Sequence, residues 1–235
     1  MLSIIIPTLN EEKYLPRLLE SIKRQEFSDY EIIVSDAGSS DKTKMVAENY
    51  GANFILSNKI KHPSFQRNKG AEISKGGILL FLDADSVLPD GFLQKTVNQF
   101  KAKNLVSAGF YIKFNPNHWY YNIYSFISNS ICFFKQRGRH PASVGAGIVA
   151  KRDAHFLING FDLRVFLAED YDYCSRINRI GKFRMIKGIR LLYSSRRIQK
   201  EGFWISGWKW FRMGLYTLTC RSIKKEIIKY DFGKF

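Results

Sequence analysis

Cysteine is scarce in this chain: Cys132, Cys174 and Cys220 are odd in number, far apart and free of any CxxC or zinc-ligand spacing. Free thiols in a reducing compartment are therefore expected, rather than a disulfide framework. No stretch reaches the roughly 20 mostly apolar residues of a membrane span. No basic n-region or cleavage site precedes the first apolar run, Ile4-Ile5-Ile6, so no secretory leader is expected. Internal repeats, low-complexity runs and clear linkers are also missing. These absences predict a cytoplasmic protein. Acidic residues are in deficit, 21 against 37 basic ones, for a net charge of +16. Such a surface favours polyanions such as nucleotide phosphates, anionic lipid headgroups or nucleic acid, and charge alone does not choose among them.

What is present is ordinary for a globular protein. The 235 residues are 45% apolar and 25% charged, enough for one large domain, or a domain with an appendage. The stretch that organises the chain is Ile78-Leu79-Leu80-Phe81-Leu82-Asp83-Ala84-Asp85, between Gly76-Gly77 and Pro89-Asp90-Gly91. Five apolar residues in a row read as a buried strand of a parallel sheet. Asp83 and Asp85, two residues apart, project to one side about 7 Å apart. Two carboxylates at the mouth of an apolar strand repel unless a cation sits between them. Hard oxygens that leave room for phosphate oxygens suit Mg²⁺ or Mn²⁺.

Around that strand the pattern alternates. Ser3–Ile6 reads as a strand stopped by Pro7. A helix capped by Asn10 follows to about Gln25, with Leu15, Leu18, Leu19 and Ile22 inward and Pro16 awkward in its first turn. Glu31–Ser35 is a second strand, ending in Asp36-Ala37-Gly38-Ser39-Ser40-Asp41. The next helix is capped by Ser40 or Asp41 and turns Met45, Val46 and Tyr50 inward. Asn53–Leu56 is a strand, and Ser64–Lys75 and 91–102 are helices. Strand–helix alternation gives a parallel sheet wrapped by helices, with ligands beyond the strands' carboxyl ends. Pro7–Glu11, Asp36–Asp41 and Asp83–Asp85 all fall on that rim.

Beyond 102 the expected elements are a strand over Val106–Phe114, a glycine-punctuated strand over Ser143–Ala150, a helix over Tyr171–Ile180 with Cys174 and Ile177 inward, and a last strand over Arg190–Ser194. Asn117–Phe134 holds no Asp, Glu, Lys or Arg. On a helix its Tyr120, Tyr124, Ile127, Ile131 and Phe134 form one stripe, facing either the core or a membrane or acceptor, with Asn122, Ser125 and Asn129 elsewhere. From Phe203 the tail interleaves Trp204, Trp208 and Trp210 with Lys209 and Arg212, and Trp204, Trp208, Phe211, Leu215 and Leu218 share a helical face. Rings beside cations suit a bilayer headgroup zone. A cover for the sheet or a homodimer contact fits that face as well.

In order along the chain, Ile4-Ile5-Ile6-Pro7-Thr8-Leu9-Asn10-Glu11, Val34-Ser35-Asp36-Ala37-Gly38-Ser39-Ser40-Asp41, Arg67-Asn68-Lys69-Gly70, Leu82-Asp83-Ala84-Asp85, Gly160-Phe161-Asp162 and Glu169-Asp170 resemble the motifs of the family 2 glycosyltransferases. The resemblance covers most of residues 3–200. It implies an α/β fold of GT-A type, with a mixed, mainly parallel sheet flanked by helices. A Rossmann-like nucleotide-binding half (about 1–102) would precede an acceptor half (103–200), and 201–235 would be an aromatic, basic appendage. The implied activity is inverting, metal-dependent transfer of one sugar from a UDP- or GDP-sugar to an acceptor. The processive members' Gln-x-x-Arg-Trp motif is absent, which argues against polymer synthesis.

The resemblance also implies roles. Pro7, Asn10, Glu11, Ser39 and Asp41 border the nucleotide pocket, and Asp36 accepts a hydrogen bond from the base. Arg67 lies near the diphosphate. Asp83 approaches the ribose or a metal-bound water, and Asp85 coordinates Mn²⁺ or Mg²⁺. Asp170 is the base that deprotonates the acceptor, and Glu169 orients it or touches the acceptor. Arg196 and Arg197 either match a late arginine pair that grips phosphate oxygens in a subgroup of the family or form a solvated basic turn. The acceptor could be lipid-linked or membrane-proximal, with the protein peripheral at the inner face of the cell membrane. No specific nucleic-acid partner is expected.

Two other classes fit parts of the sequence. Phe81–Leu88 locally resembles the first motif of haloacid dehalogenase phosphatases, with Asp83 as nucleophile and Asp85 as general acid. A basic, aromatic-rich protein could also bind nucleic acid or membrane without catalysis, although carboxylates at the presumed site oppose an unaided polyanion.

Overall fold

The computed structural model describes residues 1–57, 60–116, 118–165 and 168–209. The strands are β1 (Leu2–Thr8), β2 (Tyr30–Asp36), β3 (Asn53–Leu56), β4 (Ile78–Leu82), β5 (Ser86–Val87), β6 (Ser107–Asn115), β7 (Gly147–Lys151) and β8 (Phe183–Ser194). The helices are α1 (Leu15–Lys23), α2 (Thr43–Asn49), α3 (Pro63–Ile73), α4 (Phe92–Ala102), α5 (Trp119–Lys135), α6 (Arg152–Leu157), α7 (Glu169–Ile177) and α8 (Arg196–Glu201). Residues 203–209 are also helical.

The strands form one eight-stranded sheet in the order β3-β2-β1-β4-β7-β6-β8-β5. Neighbours in β3-β2-β1-β4 run parallel, β7 is antiparallel to both β4 and β6, and β8 is parallel to β6. Alternation along each strand sends side chains to two cores. Ile4, Ile6, Leu80 and Leu82 pack with Leu15, Leu18, Leu19 and Ile22 of α1, whereas Ile5, Leu79 and Phe81 pack with Ala71, Phe161, Tyr173 and Ile177. Cutting Leu18 or Ile22 to Ala would cost roughly 2–5 kcal/mol. Gly70 is required by this packing, since a Cβ there would stand 2.4 Å from Ile5 Cγ2.

Several expectations need correction. Pro7 does not stop β1, which continues to Thr8 against Asp36. On the other side the pairing with β4 already ends at Ile5–Phe81, so a residue without an N–H costs little there. Asn10 is not a helix cap. It adopts φ 57° in a turn, and α1 starts at Leu15 with Pro16 in its tolerant first turn. Lys42 occupies the cap position of α2, and Asp41 accepts the Thr43 amide at 3.0 Å. Met45 faces solvent. Short β5, α6 and α8 were not expected, and α7 starts earlier, at Glu169.

The structure resolves an alternative that the sequence left open on α5. Its buried residues are Tyr121, Tyr124, Ser125 and Cys132, while Ile127, Ile131 and Phe134 are exposed. The reason lies in β6. Its pairing with β7 ends at Gly109, which opens that edge beyond, and the Asn129 amide fills it with bonds of 2.9 and 2.8 Å to the N–H and C=O of Ile112. The anticipated stripe is thereby split, with Tyr124 buried and Ile127, Ile131 and Phe134 turned outward. In the tail, Trp204 and Trp208 are exposed, and the expectations for Trp210, Phe211, Leu215 and Leu218 fall outside the described residues.

Candidate active site

Strand order reverses between β1 and β4, the place where open α/β sheets bind ligands. A cleft opens at their carboxyl ends, lined among others by Pro7, Glu11, Arg67, Asp83, Asp85, Glu169, Arg196 and Arg197. Its cavity volume is about 130 Å³, well under the roughly 300–1,000 Å³ usual for a ligand pocket. Two arginines, Arg67 and Arg196, reach into its carboxylate wall.

Arg67, on α3, is only 4% exposed and forks between two carboxylates. Nη2 lies 2.8 Å from Asp83 Oδ1 and Nη1 lies 3.0 Å from Glu169 Oε1. Its guanidinium also stacks over Phe161, 5.2 Å from the ring centroid. Burial favours its neutral form, but the two carboxylates outweigh that and raise its pKa further. The adjacent Asn68 clamps the same loop, donating to Phe161 O and accepting from Phe161 N, both at 2.9 Å. Gly160 sits at φ 64°, and a Cβ there would strike Asn68 Oδ1 at 2.5 Å. These contacts explain physically why Arg67-Asn68-Lys69-Gly70 and Gly160-Phe161-Asp162 occur in one chain.

Arg196, the first residue of α8, holds Glu11 with two bonds of 2.8 Å and Asp85 Oδ2 with Nε at 2.8 Å. It packs over the Tyr14 ring at 4.6 Å. Burial pushes Asp85 up to about 7, with Asp83 and Glu11 adding repulsion and Arg196 and Arg197 opposing it. Glu11 is raised for the same leading reason, against the pull of Arg196. A cationic group thus already stands where Glu11 and Asp85 converge.

That charge arrangement is the test of a metal at this site. Among the described residues no cluster of three or more His, Cys, Asp or Glu could hold an ion unaided. Asp83 and Asp85 each give one oxygen to an arginine and retain a second, hard oxygen. Such a pair fits Mg²⁺ or Mn²⁺ when phosphate oxygens complete the shell.

The other expected residues divide into two groups. Glu169 lines the cleft, but Asp170 lies behind it, buried, with Oδ1 accepting the Tyr171 amide at 3.0 Å. Burial holds the Asp170 carboxyl well above its usual pKa, with the Glu169 charge adding and Arg67 opposing. A Cβ on Gly145 would stand 3.3 Å from Asp170 Oδ2. Asn10, Asp36, Ser39 and Asp41 do not line the cleft. Asp36 receives Thr8 Oγ1 at 2.8 Å, Gly38 N at 2.8 Å, Ser39 N at 2.7 Å and Ser39 Oγ at 2.6 Å. Those four donors match the acceptor sites of one carboxylate, so without a ligand Asp36 is satisfied by its own loop. Asn10 and Asp41 lock the neighbouring turns, with Asn10 Oδ1 accepting Ser40 N at 2.9 Å and Asp41 Oδ2 accepting Glu12 N at 3.1 Å. Gln66, Lys61 and His62 also line the cleft and were not anticipated. Gln66 donates to Thr8 O at 2.9 Å, and its place one residue before Arg67 was the signal available.

A sheet that reverses order over a cleft walled by paired carboxylates and arginines defines an α/β fold of GT-A type. The chain belongs to glycosyl transferase family 2, whose model matches residues 3–156. Its amino-acid sequence is 39% identical over 98 residues to the GalNAc(5)-diNAcBac-PP-undecaprenol beta-1,3-glucosyltransferase of Campylobacter jejuni, covering 39% of this chain and 32% of that protein. The match therefore spans about a third of that relative's length. Among solved structures, S. aureus TarS 1-349 in complex with UDP-GlcNAc superposes with TM-score 0.68 at 20% identity, over 83% of this chain and 58% of that one. The mannosyltransferase PcManGT from Pyrobaculum calidifontis, in complex with GDP-Man and Mn²⁺, gives 0.70 at 18%, over 81% and 56%. The phosphatase alternative is not favoured, since the family 2 match over residues 3–156 takes in the Asp83–Asp85 strand end.

Proposed function

We propose that this chain is an inverting, metal-dependent glycosyltransferase that moves one sugar from a UDP- or GDP-sugar to a lipid-linked or membrane-proximal acceptor. The observation that carries the proposal is the double fork of Arg67 and Arg196, which gathers Glu11, Asp83, Asp85 and Glu169 around one cleft at the switch point. A relative that acts on a PP-undecaprenol-linked glycan, and neighbours solved with UDP-GlcNAc or GDP-Man, support the donor class and the lipid-linked acceptor.

In this reading Asp85, with Asp83, holds Mn²⁺ or Mg²⁺, which when bound supplies Lewis-acid stabilisation to the departing nucleotide diphosphate. Pro7 and Glu11 border the nucleotide, while Asn10, Asp36, Ser39 and Asp41 shape the loops beneath it. Arg196 leaves Asp85 as the donor enters and, with Arg197, turns its planar fork to the diphosphate oxygens. Asp170 takes the proton of the acceptor hydroxyl as that oxygen bonds to the anomeric carbon. The bond from that carbon to the diphosphate oxygen breaks on the opposite face, which inverts the centre. Glu169, held by Arg67, orients the acceptor and keeps the Asp170 carboxyl basic enough for the task.

Calorimetric titration of UDP- and GDP-sugars with and without Mn²⁺ tests the proposal. Metal-dependent binding of at least one donor that disappears in Asp85→Ala is expected. Donor binding indifferent to both metal and Asp85 would overturn it.

A further inference from the structure

Outside the cleft, the feature with the strongest physical signature is the outer face of α5. Trp119, Ile123, Phe126, Ile127, Phe133 and Phe134 are all exposed, with Phe126 at 73% and Phe134 at 78%. At about 100° per residue they fall in an arc of about 120°, opposite the arc that packs on the sheet. A helix that shows water its more apolar side is not explained by the packing of the described residues.

The patch continues past the helix. Phe203 packs on Tyr124 and Tyr120 with centroids 5.1 and 5.9 Å apart, and it carries Trp204, 84% exposed, against its own ring at 5.3 Å. Trp119 joins from the other side through Tyr120 at 5.7 Å. Beside the helix runs a groove lined by Phe126, Phe133 and Phe134 together with Lys113, Lys187 and Arg190, and no Asp or Glu lines it. Glu201, close to the tryptophans, is paired with Lys209 at 2.9 Å. No helix among the described residues is long and apolar enough to cross a membrane.

We infer that the outer face of α5, with Trp204 beside it, is a docking surface for an anionic lipid bilayer. Exposed rings enter the headgroup–acyl boundary while the cationic rim, free of acidic groups, meets anionic headgroups. A protein partner that buried this face would be expected to place acidic side chains opposite the same rim, but the breadth of the ring array and the chain's +16 charge favour a fluid, polyanionic surface. The surface is tied to the cleft, since Trp204 follows Arg196 by eight residues and so lies within about 28 Å of it along the chain. An acceptor anchored in the bilayer would thus be presented within reach of the site. That last step rests on the function proposed above, whereas the docking surface does not.

The experiment is co-sedimentation of the full chain with phosphatidylcholine vesicles, with and without phosphatidylglycerol. Its comparison is the Phe126→Ser/Phe134→Ser variant, with folding checked by circular dichroism. A second variant, Lys187→Glu/Arg190→Glu, tests the rim without touching the rings. Wild-type protein binding only the anionic vesicles, with roughly tenfold weaker partition in either variant, is expected. Equal binding by wild type and both variants overturns the inference. So does no vesicle binding by wild type, the result expected if residues 210–235 cover the rings. A lipid-free dimer that the serine variant dissolves overturns it in favour of a second copy. Vesicle binding without sugar transfer in any donor screen would sink the proposed function alone, and transfer without vesicle binding would sink only this inference.

Discussion

Arg196 Nε lies 2.8 Å from Asp85 Oδ2, so a guanidinium occupies the seat that the carboxylates at the end of β4 would offer a divalent ion. The same guanidinium grips Glu11, which lies 185 residues away in sequence. Under the proposed function, an ion held by Asp85 would have to compete with the Arg196 guanidinium for one position.

Replacing that guanidinium separates the two states. Arg196→Gln leaves Glu11 and Asp85 buried without their counter-charge, a loss on the order of 3 kcal/mol for a buried pair broken on one side. The variant's melting temperature should fall by several degrees. Mn²⁺ without nucleotide should restore more of it than it adds to wild type, because ion binding to the folded state is what raises the midpoint. Equal Mn²⁺ shifts in differential scanning fluorimetry would remove the competition.

Asp170→Asn should keep donor affinity and lose transfer by about 10²–10⁴-fold, the usual contribution of a positioned base. Burial and Glu169 hold the Asp170 carboxyl well above the ordinary range, so it is protonated, and idle as a base, at pH values where a surface aspartate is ionised. Wild-type kcat/KM should therefore fall with decreasing pH through that raised pKa. The residual rate of the variant should lack this acid limb. Steady-state rates across pH decide it, and transfer at the wild-type rate in Asp170→Asn would mean another group takes the proton.

The Asn68 clamp gives a prediction about architecture. Asn68→Ala removes two bonds of 2.9 Å to the Phe161 backbone and leaves a part-buried N–H and C=O unmet. The expected cost is about 1–3 kcal/mol. It should come with weaker transfer, since the Phe161 loop also supports Arg67. Urea unfolding measures the first effect, and a wild-type midpoint would show that the clamp contributes nothing.

Much of this was legible in the sequence because local chemistry dictates it. An apolar run closing on Asp83 and Asp85 is a buried strand and its rim, and the leucine spacing of α1 names its buried face correctly. The partners of those residues were not legible. Nothing in local pattern couples Glu11 to Arg196, or Asn68 to Phe161, because those contacts exist only once the sheet has its order. The donors that Asp36 meets were not legible either, because Gly38 N and Ser39 N come from the backbone, which composition does not display. On α5 the pattern left the side of the stripe open, and the fold splits it, with Tyr124 inward and Ile127, Ile131 and Phe134 outward. Both faces carry rings, and the choice was made by Asn129 meeting an open edge of β6.

His155 supplies a test of the core that is independent of the chemistry. It is buried against Phe81 and Phe161, with Nδ1 3.0 Å from Tyr173 Oη, and burial pushes its pKa down to about 4, helped by Arg176 and Arg152. A folded-state pKa below the unfolded value of about 6.5 means that the unfolded chain takes the proton first. Stability is therefore full above pH 6.5 and drains as pH falls towards 4, by up to about 3 kcal/mol from this residue alone. The raised carboxyls of Asp85 and Asp170 act in the opposite sense, so wild type alone does not isolate the histidine. The difference between wild type and His155→Phe does, because the ring packing is largely kept and the titrating group is gone. Unfolding free energies of the two should converge as pH drops through that window, and a gap that stays constant from pH 7 to pH 4 would show that His155 is not held neutral in the folded chain.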